Sequence, residues 1–249
     1  MVKKLHIGHY ILGGIRAFLI VLLLLICLLF FLPSEPFVRN KTNYARLWRR
    51  FYCRIALWIL GSQVKIDYES FPLPDHYLLV SNHLSFSDPL ITLAFLDGMP
   101  VAKAEIRKYP IIGYAALKTG IIYVKREEKN SRKEARKAIN QALESGRSVL
   151  VYPEGTISPE PQNLHPFRTG VFHSAIQSDA PIISMVIKYK NENSFWIPGR
   201  SILSQFFHQF GVWKQEVIIK TSKPMEIQKP KIAAAQSQLW IQNMLNSLL

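Results

Sequence analysis

The sequence predicts an α/β fold: a two-layer αβ sandwich with a mixed sheet, preceded by an N-terminal membrane-anchoring helical segment. Three observations carry that expectation. Past Gly61, short apolar runs of strand length alternate with stretches of helical period. The beginning of the chain holds an apolar run that approaches the length needed to cross a bilayer. Between the two, arginines and aromatic residues recur at helical spacing. With 249 residues, less an anchor, there is room for one domain with a sizeable core. The expected division is therefore 1–61, anchor and interfacial helix, and 62–249, one folded domain.

The apolar run extends without interruption from Ala17 to Leu32, and reaches spanning length once Tyr10 to Ile15 are counted despite Arg16. No small-x-small cleavage site follows it. The next residues are Pro33-Ser34-Glu35-Pro36, so a retained anchor is expected rather than a cleaved signal peptide. In Asn40 to Leu60, Arg46, Arg49, Arg50 and Arg54 fall along one helical face, with Leu47, Trp48, Phe51, Ile55 and Trp58 on the other side. Such a helix suits the membrane interface; the alternative is a helix packed on the core with a solvated basic face. Arg39, Lys41 and the four arginines outnumber Lys3, Lys4 and Arg16, which predicts an inner or plasma membrane with the folded domain facing the cytoplasm. A shallow re-entrant insertion would satisfy the same residues.

Strands are expected at Val64 to Tyr68, His76 to Val80, Gly120 to Val124, Val149 to Tyr152 and Ile182 to Tyr189. Helices are expected at Pro89 to Leu96, and from a capping box at Ser131-Arg132-Lys133-Glu134 as far as Gly146. The second of these turns Ala135, Ala138, Ile139, Ala142 and Leu143 to one face. Its outer residues Lys133, Arg136 and Lys137 are either simply solvated or a dock for an acidic carrier protein. Phe195 to Trp213 mixes aromatic and polar residues, as a membrane-interface loop or a buried edge would, and Ile232 to Leu249 reads as a closing amphipathic helix.

The 31 basic and 17 acidic residues give a net charge of +14, compatible with nucleic acid, anionic lipid or acidic protein partners. The apolar run decides for lipid and against nucleic acid. Two cysteines, Cys27 and Cys53, give no disulfide framework. There is no G-x-S-x-G elbow, no H-E-x-x-H and no Walker loop, and the histidines are too scattered for a metal site.

The chemistry is concentrated in Leu78-Leu79-Val80-Ser81-Asn82-His83-Leu84-Ser85-Phe86-Ser87-Asp88-Pro89. On a regular helix His83 and Asp88 would point well apart, but across a strand-to-helix bend they can meet. Asp88 would then orient one ring nitrogen of His83 while the other takes a proton from a substrate hydroxyl. The plainer reading is that Asp88 caps the helix that starts with Pro89. For binding an anionic headgroup, the residue types point to Lys103, Arg126 and the turn Glu154-Gly155-Thr156. Each also has an ordinary structural reading, as a surface charge or a brace for buried backbone.

Four blocks in order resemble the glycerolipid acyltransferase family, the group containing bacterial 1-acylglycerol-3-phosphate acyltransferase. Asn82-His83 through Asp88 matches NHxxxxD. Lys103-Ala104-Glu105-Ile106, Tyr109 to Gly113 and Gly120 to Arg126 match the GxxFxxR element. Tyr152-Pro153-Glu154-Gly155-Thr156-Ile157-Ser158 resembles FPEGTRS, and Pro166-Phe167-Arg168-Thr169-Gly170 resembles PFKxG. Ala180 to Val186 is a looser match to PIxPV. The resemblance spans Tyr77 to Tyr189. It implies catalytic His83 and Asp88, substrate-binding Asn82, Lys103, Arg126, Glu154, Gly155 and Thr156, no metal, and no cofactor besides the donor, acyl-CoA or acyl carrier protein. Ile157 stands where the family arginine holds the acceptor phosphate, and Ser184 stands where the second proline is usual. The implied acceptor is 1-acylglycerol-3-phosphate; a second lyso-lipid such as lyso-ornithine lipid stays open, as does a non-catalytic lipid-binding protein that keeps the fold.

Overall fold

A computed structural model describes residues 6–248, apart from 69–71, 126, 159, 161–162 and 227. In chain order the elements are α1 (Ile7–Ser34), α2 (Lys41–Ile59), β1 (Ser62–Tyr68), β2 (Leu78–Ser81), α3 (Asp88–Phe95), β3 (Met99–Lys103), α4 (Pro110–Lys118), β4 (Ile122–Val124), α5 (Lys129–Glu144), β5 (Val149–Val151), α6 (Gly170–Gln177), β6 (Ile182–Tyr189), α7 (Ile202–Phe210), β7 (Gln215–Thr221) and α8 (Pro230–Ser247). Strands β3 and β7 and helices α4, α6 and α7 are not read from the sequence, and α7 falls within Phe195 to Trp213, where a membrane-interface loop or a buried edge is expected. Each is short or carries residues that serve helices and strands alike. The capping box also fails: α5 opens at Lys129, and the Ser131 hydroxyl accepts from the Lys125 N–H at 2.9 Å instead of closing the helix start.

The seven strands form one sheet in the order β1-β7-β6-β2-β5-β3-β4. The sheet is mixed, as expected: β7 runs antiparallel to β6, while β6, β2, β5, β3 and β4 are parallel neighbours. Those five strands therefore end along one edge. In open α/β sheets that carboxyl edge is where ligands bind, and β2 ends there at Ser81, immediately before Asn82-His83.

Alternation along buried β2 sends its side chains to both faces. Leu78 and Val80 join a core with residues of α5, α6 and α8, such as Ala135, Leu143, Phe172 and Ile241. Leu79 joins another with Ile91 and Ala94 of α3 and Cys53 and Leu57 of α2. Residue 61 is thus no break in the packing: α2 belongs to the domain core.

The arginine face of α2 is corrected accordingly. Besides meeting water, as Arg46 does in part, the face is tied to the protein: Arg46 and Arg49 pair with Asp97 at 3.0 and 3.4 Å, and the largely covered Arg49 also donates to the carbonyls of Thr119 and Gly98. Arg54 donates to Ala94 at the end of α3. Unpaired helix-terminal carbonyls attract cations, so these arginines fasten α2 to the body. Leu47, Phe51 and Trp58 remain exposed, Trp58 at 80%.

Helix α1 is long and apolar enough to cross a membrane, yet it packs on the protein along its length. Its buried residues, Gly13, Arg16, Ile20, Leu24, Cys27 and Phe31, recur every three or four positions and form one stripe. Near its start, α1 and α7 approach so closely that a Cβ on Gly13 would collide with the Phe207 carbonyl, and one on Gly211 with the His9 carbonyl. Arg16 does not lie on a far side of a membrane from the domain: it donates to the carbonyls of Phe210, Val212 and Trp213 at 3.0, 2.6 and 3.1 Å. At the other end Phe31 stacks on Tyr44 of α2. The opposite face, including Ile11, Phe18, Leu22, Leu29 and Phe30, is open.

Candidate active site

The strand β2 delivers His83 to the carboxyl edge, and α3 presents Asp88 in its first turn. His83 Nδ1 lies 2.7 Å from Asp88 Oδ2. The bend does bring the two together, for a reason other than capping: Ser87 is the cap residue, and the Asp88 carboxylate points back into the loop. The same Oδ2 accepts from the N–H groups of Leu84 and Ser85 at 2.7 and 2.9 Å, and Oδ1 accepts from the Tyr189 hydroxyl. The carboxylate is wholly buried, at the positive end of α3, with donors on both oxygens. An acceptor so placed favours the Nδ1–H tautomer, and leaves Nε2 with no hydrogen-bond partner among the described residues.

The backbone of His83 is held on both sides. Its N–H donates to Glu154 Oε1 at 3.2 Å, and its carbonyl accepts from Ser158 N–H at 2.7 Å. Glu154 Oε2 accepts from His165 N–H at 3.0 Å. Burial pushes the Glu154 carboxyl up, and the two N–H groups pull it back. Tyr152 stacks on the His83 ring, centroids 4.1 Å apart at 18°. Its phenol is raised well above its ordinary range, first by burial and then by Asp88, so it stays neutral.

These contacts sort the expected site residues. His83 and Asp88 meet through Nδ1 and Oδ2, the arrangement a base and its orienter would need. Asn82 is corrected: its side chain is buried, accepts from Ile187 N–H and donates to Ile187 carbonyl, both at 2.9 Å, and so pins β2 to β6 instead of meeting substrate. Glu154 is likewise a brace, both oxygens being engaged by backbone. Gly155 has φ of +74°, which favours glycine. Thr156 is exposed beside it, and Lys103 is exposed at the end of β3, two strands from β2 and so about 10 Å along the edge. Arg126 lies outside the described residues.

Sequence reasoning overlooked Tyr152, Tyr189 and Arg168 as members of the site. The Arg168 N–H donates to the Pro153 carbonyl, and its exposed guanidinium covers Gly155, where a Cβ would sit 2.9 Å from Cζ. It forms no ion pair among the described residues. Its signal was present in the Pro166-Phe167-Arg168-Thr169-Gly170 block, a cation adjoining a glycine turn. No group of three or more metal-binding side chains occurs among the described residues.

The Acyltransferase family profile matches residues 63–188, half of the chain, including every block that builds this edge. The chain belongs to that family. It is 30% identical to the lyso-ornithine lipid O-acyltransferase of Brucella abortus over 66% of this chain and 62% of that protein. It is 27% identical to the 1-acyl-sn-glycerol-3-phosphate acyltransferase of Neisseria gonorrhoeae over 49% of this chain and 48% of that protein. The match thus spans about half to three-fifths of these relatives' lengths. The crystal structure of the 1-acyl-sn-glycerophosphate acyltransferase PlsC from Thermotoga maritima superposes with a TM-score of 0.70, covering 95% of this chain and 97% of that one at 19% identity. At that identity the likeness establishes the fold, including the mixed sheet and the N-terminal helices.

Proposed function

We propose that the protein is a membrane-associated O-acyltransferase that moves an acyl chain from acyl-CoA or acyl carrier protein to the hydroxyl of a lysophospholipid. The observation that carries this reading is the His83–Asp88 pair, with Nδ1 held and Nε2 unengaged. Nε2 takes the hydroxyl proton as the oxygen attacks the thioester carbonyl carbon; Asp88 stabilises the imidazolium. When the tetrahedral intermediate collapses, the C–S bond breaks and the proton passes from Nε2 to the leaving thiolate. Stacking on Tyr152 keeps the ring in plane through both steps. No covalent acyl-enzyme is required.

The preferred acceptor is 1-acylglycerol-3-phosphate, giving phosphatidic acid. Arg168 over Gly155 and Lys103 at the end of β3 supply cations that Ile157 does not. A lyso-lipid without a phosphomonoester, such as lyso-ornithine lipid, is the second reading, and Ile157 is the observation that favours it. The membrane reading rests on the open apolar faces of α1 and α2, with Trp58 of α2 at 80% exposure, and on Phe37 between the two helices at 90%. Because α1 is packed against α7 and α2 throughout, it enters the bilayer as one side of the domain and not as a detached span.

The test is acyl transfer to a panel of lyso-lipids by the purified protein and three variants. His83→Ala should lower turnover by roughly a hundred- to ten-thousandfold; near-wild-type transfer would end the proposed mechanism. With a phosphate-bearing acceptor, Arg168→Ala should raise its KM by about tenfold or more, as expected for a lost charge-assisted contact, and Ile157→Arg should be tolerated. If Ile157→Arg instead impairs the native acceptor and gains nothing on lysophosphatidic acid, the second reading stands.

A further inference from the structure

Helix α5 carries its charge at the wrong end. Lys129, Arg132, Lys133, Arg136 and Lys137 crowd its first half, its first turn has no acidic residue, and its last turn has no basic one. Cations at a helix N-terminus oppose the macrodipole. All five side chains are exposed, and Lys129, Lys133, Arg136 and Lys137 form no ion pair among the described residues. With Glu128 at the cap and Glu134 as the acids nearby, this half of the helix keeps an exposed net positive charge that an anionic partner would offset.

Its position says which anion. Strand β4 ends at Val124 on the carboxyl edge and α5 begins at Lys129, so the basic half of the helix starts on the same edge as the site, three strands and so about 14 Å from β2. Arg136 reaches the first residue of α6, lying 3.4 Å from where a Cβ on Gly170 would be. Two residues before Gly170, Arg168 covers Gly155, and the neighbouring Glu154 holds the N–H of His83. A basic strip thus leads from α5 to the base. It is turned away from the apolar side of the molecule: α5 and α6 pack on the sheet face opposite α2 and α3, and neither exposes a large apolar side chain. A lipid surface bound through α1 and α2 does not reach it. Lys129 to Lys137 covers about 12 Å of an open, convex helix, too long and too flat for the phosphates of a single nucleotide and suited to the acidic face of a small protein.

Building on the acyl-transfer reading, we infer that the exposed basic half of α5 docks an acidic carrier protein that bears the acyl thioester. Opposed charge on the two faces steers the carrier to the mouth and makes its capture dependent on salt.

The experiment uses the full chain in detergent micelles and the double variant Lys133→Glu/Lys137→Glu. Both are given palmitoyl-loaded bacterial acyl carrier protein and, separately, palmitoyl-CoA; binding of fluorescently labelled carrier protein is measured without turnover by anisotropy. The inference expects the carrier's KM and Kd to rise by about tenfold or more on charge reversal, with CoA-dependent transfer changed by less than about twofold. Wild-type carrier binding should weaken as salt rises, and Lys133→Gln/Lys137→Gln should fall between. Equal losses with both donors, unchanged carrier binding in the reversed variant, or a wild type that binds no carrier and uses only palmitoyl-CoA would each overturn the docking surface. Carrier binding that depends on the two lysines, with no transfer from either donor, would support it and count against the acyl-transfer reading alone.

Discussion

The His83–Asp88 turn and the N-terminal helices use charge in opposite ways. In the turn, Asp88 and Glu154 are buried acceptors whose oxygens are met by four backbone N–H groups, an imidazole and a phenol. Their work is to hold one loop and leave one nitrogen available. In the N-terminal region the charged groups are donors: Arg16, Arg49 and Arg54 reach carbonyls at the ends of helices and loops, and fasten α1 and α2 to the body. Apolar side chains take the outside. A helix bearing arginines on one side therefore need not turn that side to water, because a protein supplies its own unpaired carbonyls.

The two regions touch directly where α2 packs on α3, and they are also linked through α7: Ser85 of the turn donates to Gln209 of α7, which also donates to Phe195 and lies beside the seam with α1. Substitutions on either side of that contact separate chemistry from attachment. The largest effect is expected at Asp88→Asn, where the amide can no longer accept from His83, Leu84 and Ser85 while favouring the required tautomer. Turnover should fall by roughly a hundred- to ten-thousandfold. A pH–rate profile with wild-type amplitude would refute the orienting role.

Next comes the seam. Arg16→Met leaves three carbonyls without their donor in a part-buried site, at about 1–3 kcal/mol for each buried group that finds no water. Thermal unfolding should start several degrees lower, with His83-dependent chemistry intact in the molecules still folded. If Arg16→Met leaves the melting temperature unchanged, the arginine is not what fastens α1.

Glu154→Gln ranks third. A glutamine can accept from His83 N–H or from His165 N–H, but its amide then opposes the other donor. About 1.5–3 kcal/mol is expected from losing a charged acceptor, seen as a drop of about tenfold or more in kcat with little change in donor KM. A variant matching wild type would mean that Ser158 alone positions the turn.

The legibility of these regions follows from how far apart in sequence their partners are. His83 and Asp88 are local, five residues apart on one bend, and the strand, the bend and the helix were all readable. In the parallel core β2, β4, β5 and β6 were readable because their runs are mostly apolar and mostly buried, whereas β3, Met99-Pro100-Val101-Ala102-Lys103, carries a proline and a terminal lysine and was not. Tyr189 meets Asp88 across 101 residues, and that meeting depends on β6 lying beside β2, an order no local pattern encodes. On α2 the period was right and the facing was wrong, since periodicity finds the stripe without saying what lies against it. On α1 the apolar run concealed two sides, one packed on α7 and α2 and one open, because both are made of the same residues.

The smallest effect concerns pH and sharpens the contrast once more. His208 of α7 is fully buried beside the α1 seam, and neither ring nitrogen has a hydrogen-bond partner among the described residues. Burial, with Arg200 and His9 adding to it, pushes its imidazole down to about 4. In the unfolded chain the group titrates near about 6.5. Between those values the unfolded state binds the extra proton, so stability is complete above the upper value and is lost as pH falls towards the lower one. By pH of about 5.5 the loss should be on the order of 1 kcal/mol. The catalytic turn has no comparable unpartnered imidazole, since Asp88 holds His83. Acid should therefore loosen the α1–α7 seam, measured as faster hydrogen exchange in Ile202–Phe210 than in α3. His208→Leu should flatten this pH dependence. Persistence of the full acid sensitivity in that variant would place its source elsewhere.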